Sequence, residues 1–186
     1  MTYYTEEQLN RMGFKSLGVN VKISDKASIY DCDKISVGDN SRVDDFCVLS
    51  GNIIIGRNVH VTPNCLIAGG IPGAILEDFT TLAYRVMIFT QSDDYSGHTM
   101  TNSTVPKKYK QEEKKEVIVR KYSIVGAGST VMPGVTLEEG TAVGAMTLVL
   151  KSTEPWGVYV GIPAKRLKDR DSNLLKLVRE YLAHED

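Results

Sequence analysis

Histidines and paired carboxylates are the side chains of this sequence that are best suited to moving protons. Of the three histidines, His60 lies between two valines, His98 lies shortly after a pair of aspartates, and His184 lies in the tail. Histidine accepts and donates protons near neutral pH, and a nearby carboxylate orients the ring or binds a polar substrate. The candidate catalytic residues are His60, Asp93, Asp94 and His98. The sequence leaves open which of them is the base.

A period of six residues determines where these side chains must lie. Leu, Ile or Val recurs at every sixth position, interrupted by one offset of two residues, one of three and one long gap. The eighteen positions are Leu17, Ile23, Ile29, Val37, Val43, Leu49, Ile55, Val61, Ile67, Leu76, Leu82, Ile88, Val119, Val125, Val131, Leu137, Val143 and Val149. Four residues after most of them comes a small or β-branched residue, which points to the same side of a short strand as the next aliphatic residue. Three such strands close a triangular coil, and stacked coils bury the aliphatic columns.

This array, over about residues 17–151, resembles the left-handed β-helix of the hexapeptide-repeat acyltransferases. The resemblance implies the left-handed coiling and a homotrimer with active sites between subunits. The fold class is therefore expected to be all-β, a left-handed parallel β-helix with short N-terminal and C-terminal helices. A capping box beginning at Thr5 predicts the first helix, through about Met12. An apolar stripe with helical spacing predicts the second over about 172–183.

Three units follow from these elements. We expect an N-terminal helical cap at 1–16, the β-helix at 17–151 with an inserted loop at 91–116, and a C-terminal segment and helix at 152–186. A loop of this length on a compact domain is usually functional or disordered. The part of the loop around Asp93 adjoins the prism and is the better functional candidate.

A second local match concerns the acyl donor. The segment Gly161-Ile162-Pro163-Ala164-Lys165 resembles the Gly-x-Pro-Ala-Lys segment that follows the last coil in this family and borders the coenzyme A site. The resemblance implies acetyl-CoA as co-substrate. Two alanines eighteen residues apart stack and leave a groove for the pantetheine arm, and three lysines offer point charges to its phosphates. The predicted coenzyme A-binding residues are Ala127, Ala145, Lys151, Gly161, Pro163, Lys165 and Lys168.

The segment from Asp93 to Gly97, together with Pro155-Trp156-Gly157, is similar to the sugar and nucleotide-sugar acetyltransferases of bacterial surface-polysaccharide pathways. The similarity is strongest to a subgroup that includes 4-amino-4,6-dideoxyglucose acyltransferases; galactoside acetyltransferases are more distant. It implies acetyl transfer to an amino or hydroxyl group of a sugar or nucleotide sugar. The predicted acceptor-binding residues are Asn64, Tyr95 and Ser96.

The loop departs from the galactoside-type pattern at the position of the base. Those relatives place a histidine there, whereas this chain has Asp93. A carboxylate is a weaker base and serves an amine more readily than a hydroxyl, so both O- and N-acetylation stay open, with a slight preference for the amine. In a trimer, His60 of one subunit would approach Asp93 and Asp94 of the next. His60 is then the base or its close partner, and His98 is the rival.

Composition narrows the remaining classes. The net charge of -1 provides no basic field for nucleic acid. No apolar run reaches the roughly 18 residues of a membrane span, and there is no signal-peptide pattern. Three cysteines without CxxC spacing, Cys32, Cys47 and Cys65, favour free thiols in a reducing cytoplasm. Two alternatives remain: a non-catalytic β-helix scaffold or binding protein, and a metalloenzyme like the γ-carbonic anhydrases. This chain lacks the third histidine on the prism that such a metal site needs, so no metal is predicted.

Overall fold

The six-residue repeat folds into short parallel strands that stack on three faces of a prism. The structure, a computed structural model, describes residues 2–184. Residues 1, 185 and 186 of the expected terminal units lie outside the described residues. The helices are α1 (Glu6–Arg11) and α2 (Leu174–Leu182), and single 3-10 turns span Cys32–Lys34 and Lys107–Tyr109.

The strands are, in chain order, β1 (Ser16–Leu17), β2 (Lys22–Ile23), β3 (Ser28–Ile29), β4 (Ile35–Val37), β5 (Arg42–Val43), β6 (Val48–Ile55), β7 (His60–Val61), β8 (Leu66–Leu76), β9 (Thr81–Leu82), β10 (Met87–Phe89), β11 (Gln91–Ser92), β12 (Glu113–Lys114), β13 (Val117–Val119), β14 (Ile124–Val125), β15 (Thr130–Val131), β16 (Thr136–Leu137), β17 (Ala142–Val143), β18 (Leu148–Val149), β19 (Gly157–Val160) and β20 (Lys165–Asp169).

Strand pairing defines the three faces. Face A contains β1, β4, β13 and β16; face B contains β3, β10, β15 and β18. Face C contains β2, β5, β7, β9, β14, β17 and β19, and β20 pairs antiparallel with β19 at its end. The long strands β6 and β8 bend from face B onto face A, pairing with β3 or β10 at one end and β4 or β13 at the other.

The strand register places the predicted aliphatic positions in three columns, one behind each face. On face C the pairs Val43 with Val61, Val61 with Leu82 and Leu82 with Val125 stand directly above one another. Sixteen of the eighteen aliphatic side chains are fully buried. The two exceptions, Leu17 and Ile29, belong to the first coil, which has no coil beneath it. Each buried side chain contributes roughly 1.5–3 kcal/mol, so stacking of coils is the main source of stability.

Helix α1 covers the first coil as predicted. The Thr5 hydroxyl accepts from the Gln8 N–H at 3.2 Å, and the Gln8 side chain accepts from the Thr5 N–H at 2.8 Å. This reciprocal capping box is the one expected from the sequence. Leu9 is buried on the core side of the helix, so the helix seals the open end of the aliphatic columns.

Helix α2 forms within the predicted span and packs on its own prism. The Tyr181 ring meets Phe79 edge to face at 6.0 Å, and the Tyr181 hydroxyl accepts from Asn58 at 3.1 Å. None of its residues is fully buried. Neither helix in the described part of the chain is long and apolar enough to cross a membrane.

An aromatic ladder lines the corner between faces A and C, and it depends on one glycine. Phe79 stacks on Tyr122 at 5.9 Å, and Tyr122 stacks on Trp156 at 6.5 Å. Gly140 lies between the last two, with φ of 69°, and a Cβ there would approach the Trp156 ring to 2.5 Å. The ladder residues Phe79, Tyr122 and Trp156 adopt the same left-handed backbone, with φ between 53° and 64°, so glycine is required at Gly140 for the close approach of the ring.

Substituting Gly140 by alanine should therefore destabilise the fold more than an ordinary left-handed glycine would. We expect a loss of about 3–4 kcal/mol in the free energy of unfolding, the sum of backbone strain and overpacking against Trp156. Gly13→Ala is the matched control, because its φ is also positive but no atom lies within 4 Å of the new Cβ. It should cost only about 1–2 kcal/mol. Equal losses for the two variants in denaturant unfolding would contradict this assignment.

The insertion between β10 and β13 leaves the prism at the corner where face B meets face A. Its two ends are joined by the antiparallel pair β11 and β12, with Gln91 opposite Lys114 and Ser92 opposite Glu113. The sequence indicates only a loop here. The pairing means that the middle of the insertion is carried on a short two-stranded stem.

Candidate active site

A cavity of about 770 Å³ lies where the insertion meets the prism. The residues that line it include Asp93, Asp94, Tyr95, Ser96, His98 and Met132. The structure thus brings together five of the predicted site residues in one chain. Tyr95 is 91% exposed and has most of its ring available to a ligand.

Asp94 organises this part of the insertion. One carboxylate oxygen accepts from the Ser96 N–H at 2.7 Å, and the other accepts from the N–H and hydroxyl of Thr99 at 2.8 and 3.0 Å. Hydrogen bonds from the side chain and N–H of Ser96, and then from Thr99, hold the pKa of Asp94 far below its usual range. Asp94 is thus a carboxylate at neutral pH whose oxygens are largely occupied by the loop itself.

Asp93 accepts fewer hydrogen bonds from the loop than Asp94 does. Its Oδ2 accepts from the Asn102 N–H at 3.2 Å, while within residues 2–184 no donor contacts its Oδ1. The side chain is half-buried and lines the same cavity. Asp93 is therefore the carboxylate of the pair with an oxygen available to a ligand.

His98 is exposed on the insertion, and its Nδ1 lies 2.7 Å from the Ser96 hydroxyl oxygen. A serine gives the ring a position but no negative charge to stabilise a protonated imidazole. His98 thus lies at the edge of the cavity without a carboxylate partner among the described residues.

His60 projects outward from β7 on face C, as predicted. Its Nε2 lies 2.8 Å from Oδ2 of Asp44, which is only 2% exposed. Asp44 also accepts from Arg42, from Nε at 2.6 Å and from Nη2 at 3.1 Å. Burial opposes ionisation of Asp44 most strongly, but the hydrogen bonds from Arg42 and His60 outweigh it and hold the pKa of Asp44 below its usual value.

Sequence reasoning missed Asp44, although a signal was present. Asp44 directly follows the inward-facing Val43, and a carboxylate at the edge of a packed column is rarely left without a partner. His60 lies one coil later, on the strand paired with β5. A search for charged residues next to core positions would have identified Asp44 and His60 as a pair.

Within one chain, His60 and the insertion are not brought together. His60 lies on face C, whereas the insertion leaves from the far edge of face B. The cavity lining includes His98 and both aspartates but not His60. A site that uses His60 and Asp93 together must be built from two chains.

The corner between faces C and B carries the predicted alanines. Ala127 is half-buried and Ala145 is exposed, and their coils pack so closely that a Cβ on Gly126 would lie 2.5 Å from the Ala145 nitrogen. The Met146 N–H donates to the Ala127 carbonyl at 2.8 Å. Both side chains end at Cβ, so neither projects far from this corner. Asn64 is exposed at the same corner with φ of 64°, a conformation that asparagine tolerates and that accounts for its presence without a ligand.

The Gly161–Ala164 segment lies at the C-terminal end of the prism. It forms the turn between β19 and β20 and is held to the last coil by Leu148, which donates to Gly161 at 3.1 Å and accepts from Ala164 at 2.8 Å. Pro163 is exposed in this turn.

The three predicted lysines, Lys151, Lys165 and Lys168, are exposed, and none forms an ion pair with a carboxylate of the described chain. These charges remain available to an anionic ligand.

No set of three or more histidine, cysteine or carboxylate side chains in residues 2–184 is arranged to hold a metal ion. All three cysteines are free, and Cys47 and Cys65 are buried in the column of small residues.

A three-sided parallel β-helix built from six-residue repeats is the architecture of the hexapeptide-type acyltransferases. Residues 34–69 match the family described as bacterial transferase hexapeptide (six repeats). A dTDP-4-amino-4,6-dideoxy-D-glucose acyltransferase from Escherichia coli is 45% identical over 181 residues, covering 95% of this chain and 93% of the relative. The chain belongs to the hexapeptide-repeat acyltransferase family, so the scaffold alternative is set aside.

Solved structures support the same family assignment. A variant of AntD, an N-acyltransferase from Bacillus cereus in complex with dTDP and coenzyme A, superposes with a TM-score of 0.97 at 40% identity, covering 98% of each chain. Another AntD variant, with dTDP-4-amino-4,6-dideoxyglucose and coenzyme A, also gives a TM-score of 0.97 at 40% identity, covering 98% of this chain and 97% of that one. The predicted left-handed parallel β-helix is thereby confirmed.

Proposed function

We propose that this enzyme transfers an acetyl group from acetyl-CoA to the amino group of a dTDP-linked 4-amino-4,6-dideoxy sugar. The observation that carries the proposal is the near full-length similarity to the Escherichia coli acyltransferase. The AntD complexes, which contain dTDP, the amino sugar and coenzyme A, support both the nucleotide and the donor. Of the two acceptors that the sequence left open, the proposal therefore takes the amine.

The acceptor site suits an amine. Asp93 offers a free carboxylate oxygen to the amino group, and Asp94 holds the loop that presents it. A carboxylate attracts the cationic form of the amine and orients the neutral form by accepting its hydrogen bond. Tyr95 and Ser96 complete the sugar side of this cavity, and Asn64 lies on the neighbouring corner.

The donor site is the corner groove. The pantetheine arm lies along Ala127 and Ala145, bordered by the turn at Gly161 and Pro163, while Lys151, Lys165 and Lys168 receive the phosphates. On face C, the strand β7 that carries His60 lies two strands before β14, which Gly126 follows directly. At the usual strand spacing, β7 and β14 are about 10 Å apart along the prism. The thioester end of the arm therefore points towards the strand that carries His60.

His60 is the proton acceptor in this proposal. The amine attacks the thioester carbonyl carbon, the new C–N bond forms, and the C–S bond breaks. His60 takes the proton that the amine loses and returns it to the departing thiolate of coenzyme A. His60 is preferred to His98 because it lies on a rigid strand and has a buried carboxylate partner, the arrangement that general bases use.

The complete site requires a homotrimer. Four of the six outward positions on face B carry apolar residues, Val48, Leu66, Met87 and Leu148, where a strand facing water usually carries polar residues; the other two are Ser28 and Thr130. Face B lies between the alanine corner and the insertion, so a second copy packed there joins the insertion of one subunit to face C of the next. A cyclic assembly of three such heterologous contacts closes without free edges.

The proposed location is the cytoplasm, which the three free cysteines favour, and the proposed role is the supply of an acetylated sugar for surface polysaccharide. The test is to incubate the enzyme with acetyl-CoA and either dTDP-4-amino-4,6-dideoxyglucose or the matched 4-hydroxy sugar. We expect free thiol release and a mass gain of one acetyl group with the amino sugar, at a kcat/KM at least about 100-fold above that for the hydroxy sugar. Equal turnover of the two sugars, or none with either, would overturn the proposal.

A further inference from the structure

We propose that Asp44 is a positioning residue that fixes the ring and the tautomer of His60. The inference rests on the proposed function, in which His60 is the proton acceptor. It assigns a second residue to the reaction, one that does not touch the substrate. It also explains why a carboxylate is buried at the edge of the aliphatic columns.

The contact itself is well defined. Asp44 follows β5 and His60 begins β7, the next strand on face C, so the two residues sit on adjacent coils of a rigid stack. The 2.8 Å contact joins Asp44 Oδ2 to His60 Nε2, the ring nitrogen farthest from the backbone. The carboxylate is 2% exposed, while the His60 side chain is 40% exposed. A buried carboxylate therefore holds a ring that is itself partly exposed to solvent.

The chemistry of a carboxylate determines the tautomer. An ionised carboxylate only accepts hydrogen bonds, so the 2.8 Å contact requires the proton on His60 Nε2. The lone pair is then left on Nδ1. An imidazole held in this way presents an acceptor to a proton-bearing substrate and is stabilised by the carboxylate once it is protonated.

The surrounding groups keep Asp44 in this role. Arg42 binds both carboxylate oxygens, the Tyr3 hydroxyl donates to Oδ1 at 3.3 Å, and the Arg42 guanidinium lies 5.6 Å from the Tyr3 ring centroid. The neighbouring Asp45 accepts from Ser24 and pairs with Lys26 at 3.6 Å instead. Of the two adjacent carboxylates, only Asp44 contacts His60.

This difference provides the experiment. In Asp44→Asn, the side-chain oxygen should stay at the Oδ1 position, because Arg42 Nε donates to it at 2.6 Å. The amide NH₂ of the asparagine then faces His60 and donates to its Nε2, so Nε2 can no longer carry the proton. The tautomer should reverse, and kcat should fall by about 10²- to 10⁴-fold with little change in either KM. Asp45→Asn is the matched control, and its kcat should stay within about threefold of the parent value. In a His60→Ala background, Asp44→Asn should lower kcat no further, because the two residues act as one unit.

The tautomer is read directly from the ¹⁵N chemical shifts of the His60 ring in the free enzyme, and thermal melts of the two variants check that both fold. The expected spectrum shows a protonated Nε2 in the parent and in Asp45→Asn, and a protonated Nδ1 in Asp44→Asn. A protonated Nδ1 in the parent would overturn the proposal even if the variant did not fold. So would a reversed tautomer with unchanged kcat while His60→Ala is impaired. If His60→Ala instead keeps full turnover, the proposed role of His60 as base is wrong. The spectra would then still show whether Asp44 determines the tautomer of His60.

Discussion

Replacing His60 by alanine is expected to lower kcat for acetyl transfer to the amino sugar by about 10²- to 10⁴-fold, the usual contribution of a positioned general base. The ring projects from a strand between two buried valines, so its removal creates no cavity in the core. Binding of coenzyme A should be unchanged, because the groove at Ala145 lies three strands further along face C. Steady-state kinetics and calorimetry on the same preparation separate the two effects.

Two other histidines serve as comparisons for this result. His184→Ala, in the exposed C-terminal tail, should leave kcat unchanged. His98→Ala removes a ring at the edge of the acceptor cavity, so it should raise KM for the sugar by no more than about tenfold, the effect of one lost hydrogen bond. A larger fall in kcat for His98→Ala than for His60→Ala would transfer the role of base to the insertion.

Filling the corner groove is expected to have the second large effect. Ala145→Phe places a ring where the proposal puts the pantetheine arm, so the Kd for coenzyme A should rise by about 100-fold or more, equivalent to roughly 2.7 kcal/mol. The residue is exposed, and the new side chain need not enter the core. Affinity for dTDP should be retained, because the nucleotide sugar is bound elsewhere.

The matched substitution is Ser16→Phe, which adds the same ring to an exposed small residue on the first coil, far from the groove. Its Kd for coenzyme A should equal that of the parent enzyme. Unchanged coenzyme A affinity in Ala145→Phe would mean that the donor does not use this corner. The thermal transitions of both variants show whether the ring disturbs the fold.

The fold is predictable from the sequence because each coil repeats the same physical requirement. An inward position on a short strand must be aliphatic, and the next coil must satisfy it again directly above, so errors at one position are corrected by the others. Even the three-residue offset between Ile67 and Leu76 leaves the columns in register, because β8 continues round the corner instead of breaking. Both terminal helices follow from local signals, a capping box and an apolar stripe.

The site is less predictable because its contacts are not periodic. The bonds from Ser96 and Thr99 to Asp94 depend on the path of one insertion, and nothing in the spacing fixes that path. The stem formed by β11 and β12 likewise depends on pairing across the insertion. The Asp44 contact with His60 lies within the repeat and could have been found by following charged residues through the register. The proposed juxtaposition of His60 with Asp93 would involve two chains, and the periodicity of one chain's sequence carries no information about it.

The most direct test of the account is subunit complementation between His60→Ala and Asp93→Asn. Each variant alone should be nearly inactive, because one lacks the proposed base and the other lacks the carboxylate proposed to hold the amine. Co-expressed with different tags and purified through both, every mixed trimer has one interface at which an intact His60 meets an intact Asp93. We predict recovery of about one third of the parent activity, since one of the three heterologous contacts is complete. Activity no higher than the residual activities of the two variants would contradict a site shared between face C of one subunit and the insertion of its neighbour.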